Sequence, residues 1–524
     1  MNDQLSNMSR ISQEDKSVIS ESRLLPEERE RWWATILPVF LAILSVLPVL
    51  IIPYLPMTDL PQHFAILSIL RNLRDPSYGF SQYYEYDFTK NLYMLPYLIA
   101  WALTYVMPLE VALRSVVFLS LIVYPLGLIA LLRTLRKPAV LALLAIPLVY
   151  NFNTFWGLIN ISLAMGTSFF VLALFHKERP SLVSEITLGV LCLLVTVTHL
   201  YGISLIIGYT VLWAIFGEGK NTVKRYLPLV PCLVGVTLWA LAWGKGWGID
   251  IVRWTPIKDK VFKLENSVLG GYKDWSETWI LCGFTFIVVL FLLYGLWIHR
   301  KALAQFLRGN LVFWIWIVGN FVAYLILPLH IPTAKFIYPR HAVLAFCFLP
   351  LVVPADFLRK LPTFSRTLLL CLALISIGNG WFHYFRFDYE AHSFNHIIEK
   401  TPRRAKIIQI TLDPYGQVMM TAPYLHFLAY IQGKKGGFIA TSFAMYSWLA
   451  PIKTKAKALS EIAIIPETFE WRPDFYDYNA FGYYYNYVVV RGYNPLFTAL
   501  WKTLPYRLVY EVPPWRLYKS TDSP

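Results

Sequence analysis

Asp59 is the residue best placed for chemistry. It follows the first long apolar stretch almost directly and opens the segment Thr58-Asp59-Leu60-Pro61-Gln62-His63-Phe64, which reads as the start of a helix. A carboxylate there can accept the proton of an attacking hydroxyl. It also suits a helix cap, with Gln62 completing a capping box, and the two roles are compatible. Glu85, Asp87 and Lys90 lie further along the same loop as His63. Asn151, Asn153 and Trp156 fall between two apolar runs. Amides beside an aromatic ring suit a sugar face, and an aromatic belt with helix-end caps would use the same residues. His199 and Tyr201 form a tight turn, in which His199 is either a polar site residue or a group that satisfies the turn. His330, Lys335, Arg340 and His341 cluster around the start of a later apolar run. Segments far apart in sequence thus bring polar groups to the ends of apolar runs, as a composite site needs.

The elements that hold these residues are membrane helices. Of 524 residues 56% are hydrophobic and 15% charged, and the mean hydropathy of +0.49 lies above the range of soluble globular chains. The apolar runs are continuous rather than alternating, which favours helices over a barrel. Candidate spans fall at 34–53, 111–132, 139–152, 158–175, 183–199, 202–216, 226–243, 278–298, 311–329, 341–355 and 366–384. That makes about eleven crossings at the roughly 20 residues a bilayer requires. With residues 1–33 as a cytoplasmic tail, the inside turns carry Arg133/Arg136/Lys137, Lys177/Arg179, Lys220/Lys224/Arg225, His299/Arg300/Lys301/Arg308 and Arg359/Lys360/Arg366. Every one is basic, as the positive-inside rule expects. The net charge of +15 is accounted for by such loops and gives no stripe for nucleic acid. Leu92 to Met107 is apolar enough to cross, but crossing would turn the Arg133 to Lys137 loop outward, so it is expected to lie along the outer face.

On this scheme the transmembrane domain covers 34–384, with outer loops at 54–110 and 244–277. The second is rich in Lys and Trp, and either covers the site or rests on lipid head groups. Residues 385–524 shift to short apolar runs with more Tyr and Pro, and should form a small α/β domain on the outer side. Strands are expected at Ala405 to Thr411, Tyr487 to Arg491 and Arg507 to Val512, and a helix at Ala422 to Gln432. The five cysteines lie in or beside apolar segments without a CxxC pair and read as small core residues. The fold class expected is an all-α polytopic membrane domain with a small C-terminal α/β domain.

A first span, an acidic residue in an outer loop with interfacial helices, many further spans and an outer C-terminal domain resemble the GT-C glycosyltransferases over roughly residues 34 to 384. The resemblance implies a polyprenyl-phosphate-linked sugar donor and transfer to a glycan, lipid or protein acceptor. It makes Asp59 the general base and places the protein in a bacterial cytoplasmic membrane, with the active site on the extracytoplasmic side. Many relatives carry a second acid directly after the first. Here Leu60 follows Asp59, so the second carboxylate falls to Glu85 or Asp87, and these three could also give oxygen ligands to a divalent metal. A phosphate leaving group needs fixed positive charge. Lys335 and Arg340 are the natural candidates, and Lys90 with Pro96 stands loosely where some relatives have Lys-Pro-Pro. His63, Asn151, Asn153, Trp156, His199, Tyr201 and His341 would then face sugar or acceptor. A lipid-linked saccharide ligase or polymerase would use outer Arg and His without needing Asp59. A transporter or scaffold is disfavoured by the scarcity of ionisable residues at mid-span.

Overall fold

The structure is a computed structural model that describes residues 35–522 except 89–91, 179, 218–222, 244–251, 303–306, 332–333, 356–357, 359, 446–449, 462–466, 496–500 and 502. The expected tail 1–33, Lys90 and the start of the 244–277 loop lie outside the described residues.

Long apolar runs become helices because only internal hydrogen bonding satisfies a backbone in lipid. The chain enters through α1 (Leu37–Val46) and a short continuation, Pro48–Ile51. Next come α2 (Leu60–Asn72), the short strand β1 (Tyr84–Tyr86), α3 (Leu95–Leu103) and α4 (Leu109–Thr134). The bundle continues with α5 (Phe152–Phe155), α6 (Ile159–Phe175), α7 (Leu182–Thr198), α8 (Leu200–Phe216) and α9 (Val230–Trp243). It closes with α10 (Ile257–Phe262), α11 (Ser276–Ile298), α12 (Leu311–Ile326), α13 (Ile337–Val352) and α14 (Pro362–Ala391). Among the described residues three helices are long and apolar enough to cross a membrane, and eight shorter apolar helices fall on the other expected spans. One of these, Ala139–Leu148, is a 3-10 helix containing Pro147, which has no N–H to donate. α3 has nine residues and at 1.5 Å per residue is about 14 Å long, short of the roughly 30 Å hydrocarbon core.

Close packing depends on small residues. A Cβ on Gly166 of α6 would come within 2.7 Å of Tyr124 N on α4, and one on Gly127 within 2.8 Å of Gly166 O, so the paired glycines let these two backbones touch. At one end of the bundle the basic turns meet. Arg136 pairs with Glu178 at 2.7 Å, and Lys137 donates to Asn310 Oδ1 and to the Leu351 carbonyl. The cysteine reading is corrected in part: Cys192, Cys232 and Cys347 are buried, but Cys282 and Cys371 sit on exposed faces of α11 and α14.

The last apolar helix, α14, runs through the expected boundary at 384 and ends at Ala391. Beyond it β4 (Lys406–Thr411), α15 (Leu428–Lys435), β5 (Phe438–Ile439), β6 (Ile452–Thr454), β7 (Tyr487–Arg491), β8 (Tyr506–Val512) and β9 (Trp515–Ser520) build the small C-terminal domain. Its sheet has the order β5-β4-β7-β9-β8, with β4 parallel to both neighbours and the rest antiparallel, Val489 facing Leu517. The expected helix at Ala422 to Gln432 is a 3-10 turn (Pro423–His426) leading into α15.

This domain does not close on itself. Ile66, Ile69, Leu70, Tyr84 and Tyr97 from the first loop share one buried cluster with Ile408, Phe438 and Val488. β1 pairs antiparallel with β6, Glu85 opposite Lys453. Arg491, 1% exposed, reaches from β7 to Glu390 on α14 at 3.0 Å and to Asp413 at 2.7 Å, its guanidinium lying over Tyr424.

Candidate active site

Asp59 is fixed by its backbone. Its N–H donates to the Trp156 carbonyl at 3.2 Å, the preceding Thr58 N–H donates to Phe155 O at 3.0 Å, and its own carbonyl accepts from His63 N at 3.1 Å. Gly157 makes this contact possible: its φ is +77°, and a Cβ there would lie 2.9 Å from Asp59 N. The capping expectation is corrected. Asp59 stands at the N-cap position of α2, but its side chain makes no cap hydrogen bond. Gln62 does not reach back either; it donates to Thr441 O at 2.8 Å and accepts from Phe443 N at 3.2 Å, joining α2 to the C-terminal domain.

The Asp59 carboxylate is therefore available for another partner, His426. The imidazole Nδ1 is 3.1 Å from Asp59 Oδ1, and Nε2 is 3.3 Å from Glu470 Oε2. Side-chain exposure is 8% for His426, 16% for Asp59 and 23% for Glu470, so the histidine is the enclosed member and Asp59 keeps an open edge. Burial alone would lower the His426 pKa, but Glu470 and Asp59 on its two sides raise it to about 10. Burial would raise that of Glu470, and His426 together with nearby Lys335 holds it low instead. Among the described residues Asp59 Oδ2 has no hydrogen-bond partner.

His63 does not offer a nitrogen to sugar. It is buried, with Nε2 3.0 Å from Gly157 O and Nδ1 2.6 Å from Tyr97 OH. The carbonyl can only accept, so Nε2 carries the proton and Nδ1 accepts from Tyr97. Burial lowers its pKa, consistent with a neutral ring that braces the Gly157 turn. Asn151 likewise turns inward: its Oδ1 accepts from Asn153 N at 2.9 Å, capping α5, and its amide donates to Leu148 O. Asn153 is fully buried, and its amide has no partner among the described residues. Trp156 does reach the site, its ring 4.2 Å from Phe336 and 6.3 Å from Trp471 between centroids.

Phe336 carries the link to the cations. It has φ +58°, a strained left-handed turn between the hairpin β2 (His330–Ile331) with β3 (Ala334–Lys335) and the first turn of α13. Lys335 is exposed on that hairpin, and Arg340 donates back to the Lys335 carbonyl at 2.6 Å. Around Arg340 stand Tyr93, Tyr201, His199 and His341. His199 caps α8 by accepting from Tyr201 N at 2.9 Å and stacks on Tyr93 at 4.4 Å. Burial, reinforced by Arg340, keeps its pKa low. His341 bonds Asn320 at 2.9 Å, with the Tyr201 ring edge-on to it. Among the described residues no acidic side chain pairs with Arg340, and its Nε is buried without a partner.

Glu85 and Asp87 are held elsewhere. Lys453 lies 3.3 Å from Glu85 and 3.8 Å from Asp87, and Asp87 N donates to Pro451 O, so both carboxylates serve the β1–β6 seam. The expected oxygen set of Asp59, Glu85 and Asp87 is not gathered: among the described residues no three His, Cys, Asp or Glu side chains are arranged to hold a metal ion. Sequence reasoning missed His426 and Glu470. The available signal was a lone histidine within an otherwise apolar segment of the C-terminal domain.

A bundle of apolar helices, α2 directly after the first of them, and a C-terminal domain seated on α2 make up a GT-C-like fold. Among solved structures, apo ArnT from Cupriavidus metallidurans matches with a TM-score of 0.50 at 13% identity, over 92% of this chain and 97% of that one. The arabinofuranosyltransferase AftD from Mycobacteria matches at 0.49 and 13%, over 94% of this chain and 40% of that one. ArnT from Cupriavidus metallidurans bound to undecaprenyl phosphate gives 0.49 and 14%, over 93% and 98%. No protein-family model and no curated protein matches the sequence.

Proposed function

We propose that this chain is an integral membrane glycosyltransferase that moves a sugar from a polyprenyl-phosphate donor to a hydroxyl of a glycan, lipid or protein. The observation that carries the reading is Arg340, a guanidinium with no acidic partner among the described residues, tied to the Asp59 site through Lys335, Phe336 and Trp156. A cation so placed fits an anionic ligand, and the GT-C fold makes a lipid phosphate the suitable one. The acceptor oxygen attacks the anomeric carbon, and its proton passes to Asp59 Oδ2. The bond from that carbon to the phosphate oxygen breaks, and the electron pair leaves with the phosphate, whose charge Arg340 and Lys335 offset. The basic turns at the opposite end of the bundle support a non-cytoplasmic site.

Purified protein in nanodiscs, given undecaprenyl-phosphate-linked pentoses and hexoses with glycan and lipid acceptors, should release undecaprenyl phosphate. Asp59→Asn should slow that release by about 10²-fold or more, the scale of a general base, with folding intact because the side chain does not cap α2. Turnover by Asp59→Asn equal to that of the parent would exclude Asp59 as the base and favour the ligase class.

A further inference from the structure

His426 faces a carboxylate from each ring nitrogen, with Asp59 3.1 Å from Nδ1 and Glu470 3.3 Å from Nε2. Nε2 is in hydrogen-bonding geometry with Glu470, while Nδ1, though 3.1 Å from Asp59 Oδ1, has no hydrogen-bond partner among the described residues and meets that carboxylate as a close charge contact. Two carboxylates this close to one ring favour its doubly protonated form, in which the three side chains together carry one negative charge. The other titratable groups bearing on this trio, among the described residues, are neutral His63 beside Asp59 and His426, Tyr97 beside Asp59, and Lys335 beside Glu470.

We propose that His426 and Glu470 are positioning residues for the base: His426 lies against Asp59 Oδ1 as its ion-pair partner and leaves Oδ2 to take the acceptor's proton, and Glu470 balances the imidazolium so that Asp59 stays basic. This rests on the reading of Asp59 as the base. Each partner answers a distinct electrostatic problem. An imidazolium alone beside Asp59 would stabilise the carboxylate too well, since an opposite charge within about 4–6 Å lowers a carboxylate pKa by about 1–3 units. Two carboxylates flanking an uncharged residue would repel until one took a proton, and Asp59 would lose its capacity as a base. The cation between two anions avoids both. No proton passes on to His426, which already carries two; the transferred proton rests on Asp59. The C-terminal domain is thereby part of the catalytic unit, because it supplies both His426 and Glu470.

The charge state is tested without any substrate. In the full chain in nanodiscs, labelled with imidazole ¹⁵N and assigned by comparison with His426→Gln, His426 should keep its imidazolium signal at pH 8. In Glu470→Gln its titration midpoint should fall by about one pH unit or more. A midpoint near the ordinary histidine value in the parent, or one that Glu470→Gln leaves in place, overturns the proposal. The role is tested by the pH profile of undecaprenyl phosphate release. Glu470→Gln should lower kcat and move the acid limb to lower pH, whereas His426→Gln should move it to higher pH. A loss of structure alone would scale the rate without opposite shifts. Loss of activity in Asp59→Asn with an unaltered profile in Glu470→Gln defeats this inference and leaves the base intact, whereas full activity in Asp59→Asn defeats the underlying reading.

Discussion

Arg340→Ala separates a ligand-binding cation from a structural one. Among the described residues Arg340 makes one hydrogen bond, to the Lys335 carbonyl, and no acidic side chain pairs with it. Removing it strands no charge, so stability should fall by only about 1 kcal/mol, the net value of an ordinary hydrogen bond. A charge-assisted bond to phosphate is worth about 1.5–3 kcal/mol, and each 1.4 kcal/mol is tenfold in affinity. Binding of undecaprenyl phosphate should therefore weaken about 10- to 150-fold in Arg340→Ala, while the melting curve barely moves. Arg340→Lys should recover part of the affinity, because a point charge remains but the planar fork is lost. The assay is titration of nanodisc-embedded protein with undecaprenyl phosphate by native mass spectrometry, with phosphatidylglycerol as competitor. Unchanged affinity in Arg340→Ala would refute the reasoning. An equal loss of binding to both lipids would mean that Arg340 only anchors ordinary anionic lipid.

Arg491 offers the opposite case: Arg491→Met should destabilise by about 3–5 kcal/mol in thermal unfolding, because it leaves Glu390 and Asp413 without the buried cation they share. His426 should also mark the pH dependence of stability. Its pKa is raised from the ordinary 6.5 to about 10 in the folded protein, so its contribution is fully present below about pH 6.5 and is lost as pH rises through about 10. The melting temperature of the parent should thus fall relative to that of His426→Gln between pH 7 and pH 10, and parallel curves would contradict the ion trio. Lys260, buried to 1% exposure and donating to the Leu325 and Leu327 carbonyls at the end of α12, should cost about 2 kcal/mol when changed to Met, read by the same melting assay.

Lys260 also shows where composition misleads. The lysine-rich loop 244–277 reads either as a cover for the site or as a face resting on lipid head groups, yet Lys260 folds inward to close a helix end, an outcome set by the open carbonyls of α12 rather than by the loop's own residues. The apolar helices were legible because their signal is local: each run must satisfy its own backbone. Strand β7 was legible to the residue, since Tyr487 to Arg491 is a compact β-branched block. β6 was not, because three residues pair only when β1 lies beside them. Asp59 was legible from its place after the first span, and Arg340 from its place before another. His426 and Glu470 were not, because the Pro423–His426 turn and the segment bearing Glu470 reach α2 only through the tertiary fold. Glu85 and Asp87 carried the right chemical type in the right loop, but a lysine from a distant strand binds both.

The stitching of α2 to the C-terminal domain also bears on biosynthesis. Gln62 and Thr441, which join these two parts, are separated by 379 residues. The ribosome delivers Asp59 early and His426 late, so a nascent chain holds Asp59 for most of its synthesis without His426 and Glu470 beside it. Contacts between such distant segments form slowly. A chain released before His426 is made would hold its apolar helices and still lack the cluster of Asp59, His426 and Glu470.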